Sequence, residues 1–311
     1  YEITRCLEFR RVLFRSGTPE FAVPSLKILV EHQFNVVAVL TAPDKPQGRG
    51  QKITFSPVKA CALKHNIPVL QPTNLKSPQF LEELKSYHAN LQVVVAFRML
   101  PEVVWSMPQF GTFNLHASLL PQYRGAAPIN WAIINGEKET GVTTYFLKHE
   151  IDTGSIIFQE REPIYASDDA GLLYERLMKK GAGLVLKTVQ AIADGSYLSQ
   201  PQPESGSIKH APKIFKETCQ INWNQTAEQI HNFIRGLSPY PGAWTLLNNK
   251  TYKIFRAEIV KDLEIIPGQW KTDNKTYFYV GTSADTIAIK ELQPEGKKRM
   301  KVEEFFRGNK I

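Results

Sequence analysis

Asn114 and His116 stand two residues apart in the run TFNLH, residues 112–116. On a β-strand, alternate residues leave by the same face, so the amide and the imidazole converge. Both groups can donate to a carbonyl oxygen, and an imidazole also gains and loses a proton near neutral pH. The run breaks into a loop containing Pro121, Gly125 and Pro128, and Pro128 suits the first turn of a helix. A third polar element is HEIDTGSII, residues 149–157, where Asp152 precedes Thr153 and Gly154 between two strand-like runs. Taken singly, these residues have bland readings: Asn114 closes a turn, His116 is a satisfied buried histidine, and Asp152 makes a turn of its own. Taken together, an amide and an imidazole that converge where a strand ends are positioned to handle a carbonyl oxygen and a proton. If the loop folds over the strand end, the Asp152 carboxylate orients the His116 ring and holds it protonated. His149 reads as a surface residue at a strand end.

Side chains at a strand end need a rigid sheet behind them. The runs NVVAVLTA (35–42) and LQVVVAF (91–97) are continuously apolar, as parallel strands covered on both faces must be. Helical periods fall between them: over 57–65, 78–87 and 101–107, with a long amphipathic helix from a cap at Asp168 to about Ala193. VTTYFL (142–147) and SIIFQE (155–160) are further strands. This βαβ alternation predicts an α/β, doubly wound, mostly parallel sheet, and ligands bind such sheets at the carboxyl ends of their strands. Near Asp194 the composition shifts to Gly, Ser, Pro and Gln and reads as a linker. Beyond it come one helix, about 227–238, and short strands at close spacing, the pattern of a small β-barrel.

The chain has 311 residues, 42% of them hydrophobic, and a formal net charge of +8. That length suits two domains. No apolar run approaches the roughly 18 residues of a membrane span. The three cysteines, Cys6, Cys61 and Cys219, are far apart, with neither disulfide nor metal spacing, and point to a reducing cytoplasm. Residues 211–311 carry 16 Lys and Arg against 11 Asp and Glu, an excess that suits an anionic partner such as nucleic acid. Gly48-Arg49-Gly50 follows a strand, but position 53 is Ile and no helix starts there, which excludes a dinucleotide fingerprint. The polar loop 41–59, with Lys45, Arg49, Lys52 and Lys59, reads either as a solvated insertion or as an arm contacting phosphates. The opening YEITRCLEFRRVLFRS carries four arginines and puts Arg15 and Ser16 where a first buried strand should be apolar. Residues 1–16 therefore read as partly foreign sequence joined to the protein, the alternative being a basic tail.

With these residues in view, NLHASLLPQYRGAAPINW followed by IDTGSII resembles the folate-dependent formyltransferases. GTPEFAVPSL, TAPDKPQGRG, SPVK, IRGLSPYPGAW and LQPEGKKRM are similar to the branch of that family acting on aminoacyl-tRNA. The resemblance runs from Gly17 nearly to the C-terminus. It implies a Rossmann-like catalytic domain over 1–195, a linker over 196–212 and a tRNA-binding, OB-like β-barrel over 213–311. It implies transfer of a formyl group from 10-formyltetrahydrofolate to the α-amine of methionine on initiator tRNA, with no metal. It assigns Asn114, His116 and Asp152 to catalysis. The folate co-substrate would lie against Phe97, Arg98, Met99, Leu100, Ser118, Leu119, Leu120 and Pro121. The tRNA would be held by Lys45, Arg49, Lys52, Lys297, Lys298 and Arg299. VAFRMLP departs from the more glycine-containing loop expected there. A cytoplasmic monomer is the expected form. Formyltransferases acting on sugar amines or purine precursors, a formyltetrahydrofolate hydrolase and a non-catalytic RNA-binding protein are the alternatives.

Overall fold

The computed structural model describes residues 11–16, 20–47, 52–96, 99–203 and 206–311. The chain folds into two compact units, one of residues 1–124, 141–162 and 175–209, the other of 125–140, 163–174 and 210–311.

The first unit is built on a seven-stranded sheet. Its strands are β1 (Arg11–Ser16), β2 (Asn35–Leu40), β5 (Val69–Leu70), β6 (Leu91–Val95), β7 (Thr112–His116), β9 (Glu139–Phe146) and β10 (Ile156–Pro163). Their order across the sheet is β10-β9-β7-β6-β1-β2-β5. The pairs from β5 to β7 are parallel, and β9 runs antiparallel to β7. The apolar runs behave as their composition requires: all five residues of β6 are buried. Helices α1 (Val23–Glu31), α2 (Pro57–Lys64), α3 (Pro78–Ser86) and the short α4 (Glu102–Trp105) supply the crossovers, and the long α6 (Ala170–Asp194) follows the last strand. Serines cap two of them, Ser56 accepting from the Lys59 amide and Ser77 from the Phe80 amide. Leu13, Leu40, Phe80, Val94 and Val104 are among the buried residues of one face of the sheet. The doubly wound prediction therefore holds, and His116 ends a parallel strand.

One expectation for this unit needs revision, and another gains a structural setting. β1, which falls within the stretch read as foreign, is an interior strand of the sheet, flanked by β2 and β6. Its Arg15 lies beside Leu40 and Val94, is fully buried, and none of its three guanidinium nitrogens has a partner among the described residues. Of the stretch read as linker, 196–212, residues up to 209 belong to the first unit: Gln200 bridges to Ile156, and Gln202 is buried. Low apolar content does not make a linker when backbone and amide groups find partners on a folded surface.

In the second unit, α5 (Pro128–Ile134) starts at the proline that fits a first turn. The cap of the long helix is Asp169, whose Oδ1 accepts from the Leu172 amide. Asp168, the predicted cap, is buried and accepts instead from the Tyr165 amide, while Arg235 donates to its carbonyl. α7 (Ala227–Gly236) opens with a capping box between Thr226 and Gln229. The strands β12 (Ala243–Leu247), β13 (Lys250–Val260), β14 (Trp270–Thr272), β15 (Phe278–Gly281), β16 (Thr286–Pro294) and β17 (Met300–Lys301) form one antiparallel sheet. Its order is β12-β13-β16-β15-β14, with β17 beside β16, a half-barrel. The two-residue strands β8 (Arg124–Gly125) and β11 (His210–Ala211) belong to neither large sheet. Ile230 and Ile234 of α7 and Phe305 and Phe306 of α8 (Val302–Phe306) share the core of the half-barrel. Among the described residues no helix is long and apolar enough to cross a membrane.

Candidate active site

The register of the β7–β9 ladder builds the site. Asn114 sits opposite Tyr145, and His116 opposite Thr143. Side chains directly opposite one another in an antiparallel pair leave by the same face, with Cβ atoms about 5 Å apart. The Asn114 Nδ2 donates to the Tyr145 hydroxyl at 3.0 Å, and that hydroxyl donates to Asp152 Oδ1 at 2.5 Å. The second carboxylate oxygen, Oδ2, lies 3.8 Å from His116 Nδ1. His116 Nε2 is 2.9 Å from the Tyr123 carbonyl oxygen. A carbonyl only accepts, so Nε2 carries a proton and the lone pair of the neutral ring is on Nδ1. The structure thus brings Asn114, His116 and Asp152 together, as their spacing predicts, and adds Tyr145 between two of them. Burial, and then the Asp152 charge, push the Tyr145 phenol well above its ordinary range, so it stays a donor.

Asp152 reaches the ring because its loop is tightly held. Its φ is +56°, a left-handed conformation that aspartate tolerates better than most residues. Two residues on, a Cβ on Gly154 would lie 1.5 Å from the Phe146 carbonyl oxygen, so only glycine fits. Gln202 closes the turn from the segment read as linker. Its Nε2 donates to the carbonyls of Asp152 (2.7 Å) and Gly154 (2.9 Å), and its Oε1 accepts from both Nε and Nη2 of Arg124. Neither Tyr145 nor Gln202 was expected. A tyrosine in an apolar strand reads as core, and Gln202 lies about fifty residues from its partners. The alternation of VTTYFL did place Tyr145 and Thr143 on one face, which is the signal available beforehand.

The SLLP loop is fastened to the same strand. Thr143 Oγ1 donates to the Ser118 carbonyl at 2.6 Å and accepts from the Leu120 amide and from Gln159 Nε2. Gln159 also donates to the Leu120 carbonyl, and the Ser118 hydroxyl donates to the Gln122 carbonyl. Ser118 and Leu120 are therefore buried and committed to the loop's own shape, while Leu119 and Pro121 are half-buried. Of the other expected folate contacts, Leu100 packs into the core, Met99 is 72% exposed, and Phe97 and Arg98 lie outside the described residues. Ile151, on the Asp152 loop, is also exposed. His149 is exposed, as read, and pairs with Glu102 at 2.6 Å.

The expected RNA-contacting residues separate. Arg49 lies outside the described residues, while Lys45 and Lys52 fall on a short antiparallel hairpin, β3 (Lys45–Gln47) and β4 (Lys52–Thr54). Near its base Lys59 pairs with Asp44 and donates to Gln71, and that hydrogen-bonding lowers the Asp44 carboxyl from its ordinary range. In the second unit Lys297 and Lys298 are exposed on the turn between β16 and β17. Arg299 is held by Glu291 at 2.6 Å and lies over the Phe255 ring. Sequence reasoning missed a cleft of about 410 Å³ in this unit, lined by Lys213, Lys216, Lys253, Phe215, Tyr240 and Trp244. Phe215 and Tyr240 are exposed, and the Lys213 ammonium lies 5.2 Å from the Phe215 ring centre. Cations interleaved with exposed rings suit a single strand of nucleic acid, its phosphates on the lysines and its bases stacked on the rings.

Comparison with known proteins gives two consecutive matches along the chain. A family model described as formyl transferase matches residues 9–189, and one described as formyl transferase, C-terminal domain, matches 213–310. The methionyl-tRNA formyltransferase of Bacteroides fragilis is 54% identical over 301 residues, covering 94% of this chain and 93% of that protein. The one from Flavobacterium johnsoniae is 48% identical over 306 residues, 97% of each chain. Among solved structures, an N-formyltransferase from Helicobacter canadensis in complex with folinic acid and dTDP-3-aminofucose superposes with a TM-score of 0.67. It is 25% identical and covers 91% of this chain and 98% of that one. HypX from Aquifex aeolicus in complex with tetrahydrofolic acid shares the fold at 19% identity, with a TM-score of 0.66 over 96% of this chain and 47% of its own.

Proposed function

The chain belongs to the formyl transferase family, and from that premise we infer its reaction. It transfers the formyl group of 10-formyltetrahydrofolate to the α-amine of methionyl-tRNA, leaving N-formylmethionyl-tRNA and tetrahydrofolate. The observation that carries this is identity of about half along nearly the whole chain with relatives named for that activity.

The local chemistry supports Asn114, His116 and Asp152 as the reacting group. The amine lone pair attacks the formyl carbon and the carbonyl electrons move to oxygen. Among the described residues the second N–H of Asn114 has no protein partner, and it is the donor we assign to that oxygen, a contribution of about 3 kcal/mol. His116, oriented by its Nε2–H on the Tyr123 carbonyl, takes the amine proton at Nδ1. Asp152 beside it stabilises the imidazolium. Collapse of the adduct breaks the bond to folate nitrogen, which receives the proton. Proton transfer of this kind contributes about 10²- to 10⁴-fold. A protonated His116 acting as oxyanion donor is the other role for the ring; with Nε2–H on the Tyr123 carbonyl, that role also falls to Nδ1.

Exposed Met99 and Ile151 and half-buried Leu119 and Pro121 offer apolar surface to the pterin of the co-substrate, whose other assigned contacts are Phe97 and Arg98. For the RNA, Lys213, Lys216 and Lys253 with Phe215 and Tyr240 are the assigned contacts of the single-stranded acceptor end. Arg49 and the hairpin lysines, with Lys297 and Lys298, hold the adjoining backbone. Arg299 supports them through Glu291. With tRNA as substrate, the protein works as a cytoplasmic monomer. The test is formyl transfer from 10-formyltetrahydrofolate to charged initiator tRNA, beside uncharged tRNA and free amino sugars. Product with charged tRNA alone is expected; product with an amino sugar instead would move the chain to the sugar-directed branch.

A further inference from the structure

We propose that Tyr145 is a positioning residue for this reaction, fixing the orientation of the Asn114 amide with Asp152 as its anchor. The proposal rests on the assignment of Asn114 as the oxyanion donor. It follows from what each group can donate. An ionised carboxylate only accepts, so the 2.5 Å contact between Tyr145 Oη and Asp152 Oδ1 takes the phenolic proton. The hydroxyl oxygen then offers only lone pairs to Asn114, 3.0 Å away. Of the two ends of an amide, only the NH₂ end can face a lone pair. The chain Asn114 N–H to Tyr145 O–H to Asp152 carboxylate therefore runs in one direction, and it excludes the flipped amide.

A flipped amide would put its oxygen toward the hydroxyl and its NH₂ where the carbonyl oxygen of the side chain now lies. The second N–H would no longer be held where Asn114 now presents it. Tyr145 is 2% exposed and stands directly opposite Asn114 in the ladder, so water does not replace its hydroxyl and the pairing needs no loop movement. Successive hydrogen bonds ending on a charge also polarise one another, which strengthens the amide as a donor.

The test is a double-mutant cycle on the full chain, read as the single-turnover rate of formyl transfer to methionyl-tRNA. Tyr145→Phe keeps the ring and removes the hydroxyl. The expected result is a rate about tenfold lower, with KM for both substrates within twofold of wild type and an unchanged thermal midpoint. In an Asn114→Ala background the same substitution should change the rate by less than threefold, because no amide remains to orient. A Tyr145→Phe rate within twofold of wild type overturns the proposal. An equal loss in both backgrounds, or one accompanied by a lowered midpoint, assigns the hydroxyl to packing and also overturns it. The underlying assignment fails separately, by an Asn114→Ala rate close to wild type.

Discussion

His116 has two ring nitrogens with different neighbours, a carbonyl hydrogen-bonded at Nε2 and a carboxylate 3.8 Å away, beyond hydrogen-bond reach, at Nδ1. In the proposed reaction that asymmetry decides which nitrogen moves the proton, and nitrogen NMR of the labelled protein reads it directly. At neutral pH the neutral ring should carry its proton on Nε2; an Nδ1–H tautomer would contradict the assignment. Asn114→Ala and His116→Ala should each lower turnover by at least about a hundredfold with little change in thermal midpoint. At this scale much was legible in one sequence. The alternation of TFNLH placed the amide and imidazole together, and the DTG turn marked the carboxylate. Tyr145 was not legible as a site residue, because its role depends on the pairing of position 145 with 114 across two strands. Register of that kind is set by sheet assembly, and a single strand's composition does not encode it.

At the scale of elements, the Asp152 loop and strand β1 carry opposite lessons. The loop is over-determined: a left-handed aspartate, a glycine pressed on the Phe146 carbonyl and the Gln202 amide all fix one conformation. Gly154→Ala should therefore abolish formyl transfer, because the 1.5 Å approach forces the loop off the strand and takes Asp152 with it. Retained activity would mean that the carboxylate is not needed where it sits. Strand β1 is under-satisfied. Arg15 is buried without a partner among the described residues, and burial pushes its guanidinium down to about 9, still charged at neutral pH. An uncompensated buried ion costs several kcal/mol even after relaxation. Arg15→Met should accordingly raise the unfolding midpoint by at least about 4 °C; a lower midpoint would show that the guanidinium has a stabilising role. The sequence marked Arg15 as out of place in a buried strand, and the structure supplies the reason. It also shows why Gly/Ser/Pro content misled at 196–209, where one buried glutamine makes the segment part of the first unit.

For the whole molecule, the parallel sheet and the antiparallel half-barrel were both readable from the change in period and spacing along the chain. The cleft of the second unit was not, since Lys213, Tyr240 and Lys253 come from separate segments that only folding gathers. If that cleft and the exposed lysines bind tRNA through phosphates, affinity should fall by at least about tenfold between roughly 50 and 200 mM salt. Lys213→Ala with Lys216→Ala should weaken tRNA binding and leave folate binding unchanged; the reverse pattern would relocate the RNA. The most direct measurement for the account as a whole is single-turnover formylation of methionyl initiator tRNA by the wild type and by Asp152→Asn, a substitution that keeps size and removes the charge beside His116. Rapid transfer by the wild type with a loss of at least about a hundredfold in the variant is the predicted result. Transfer by Asp152→Asn at a rate within threefold of wild type would contradict it.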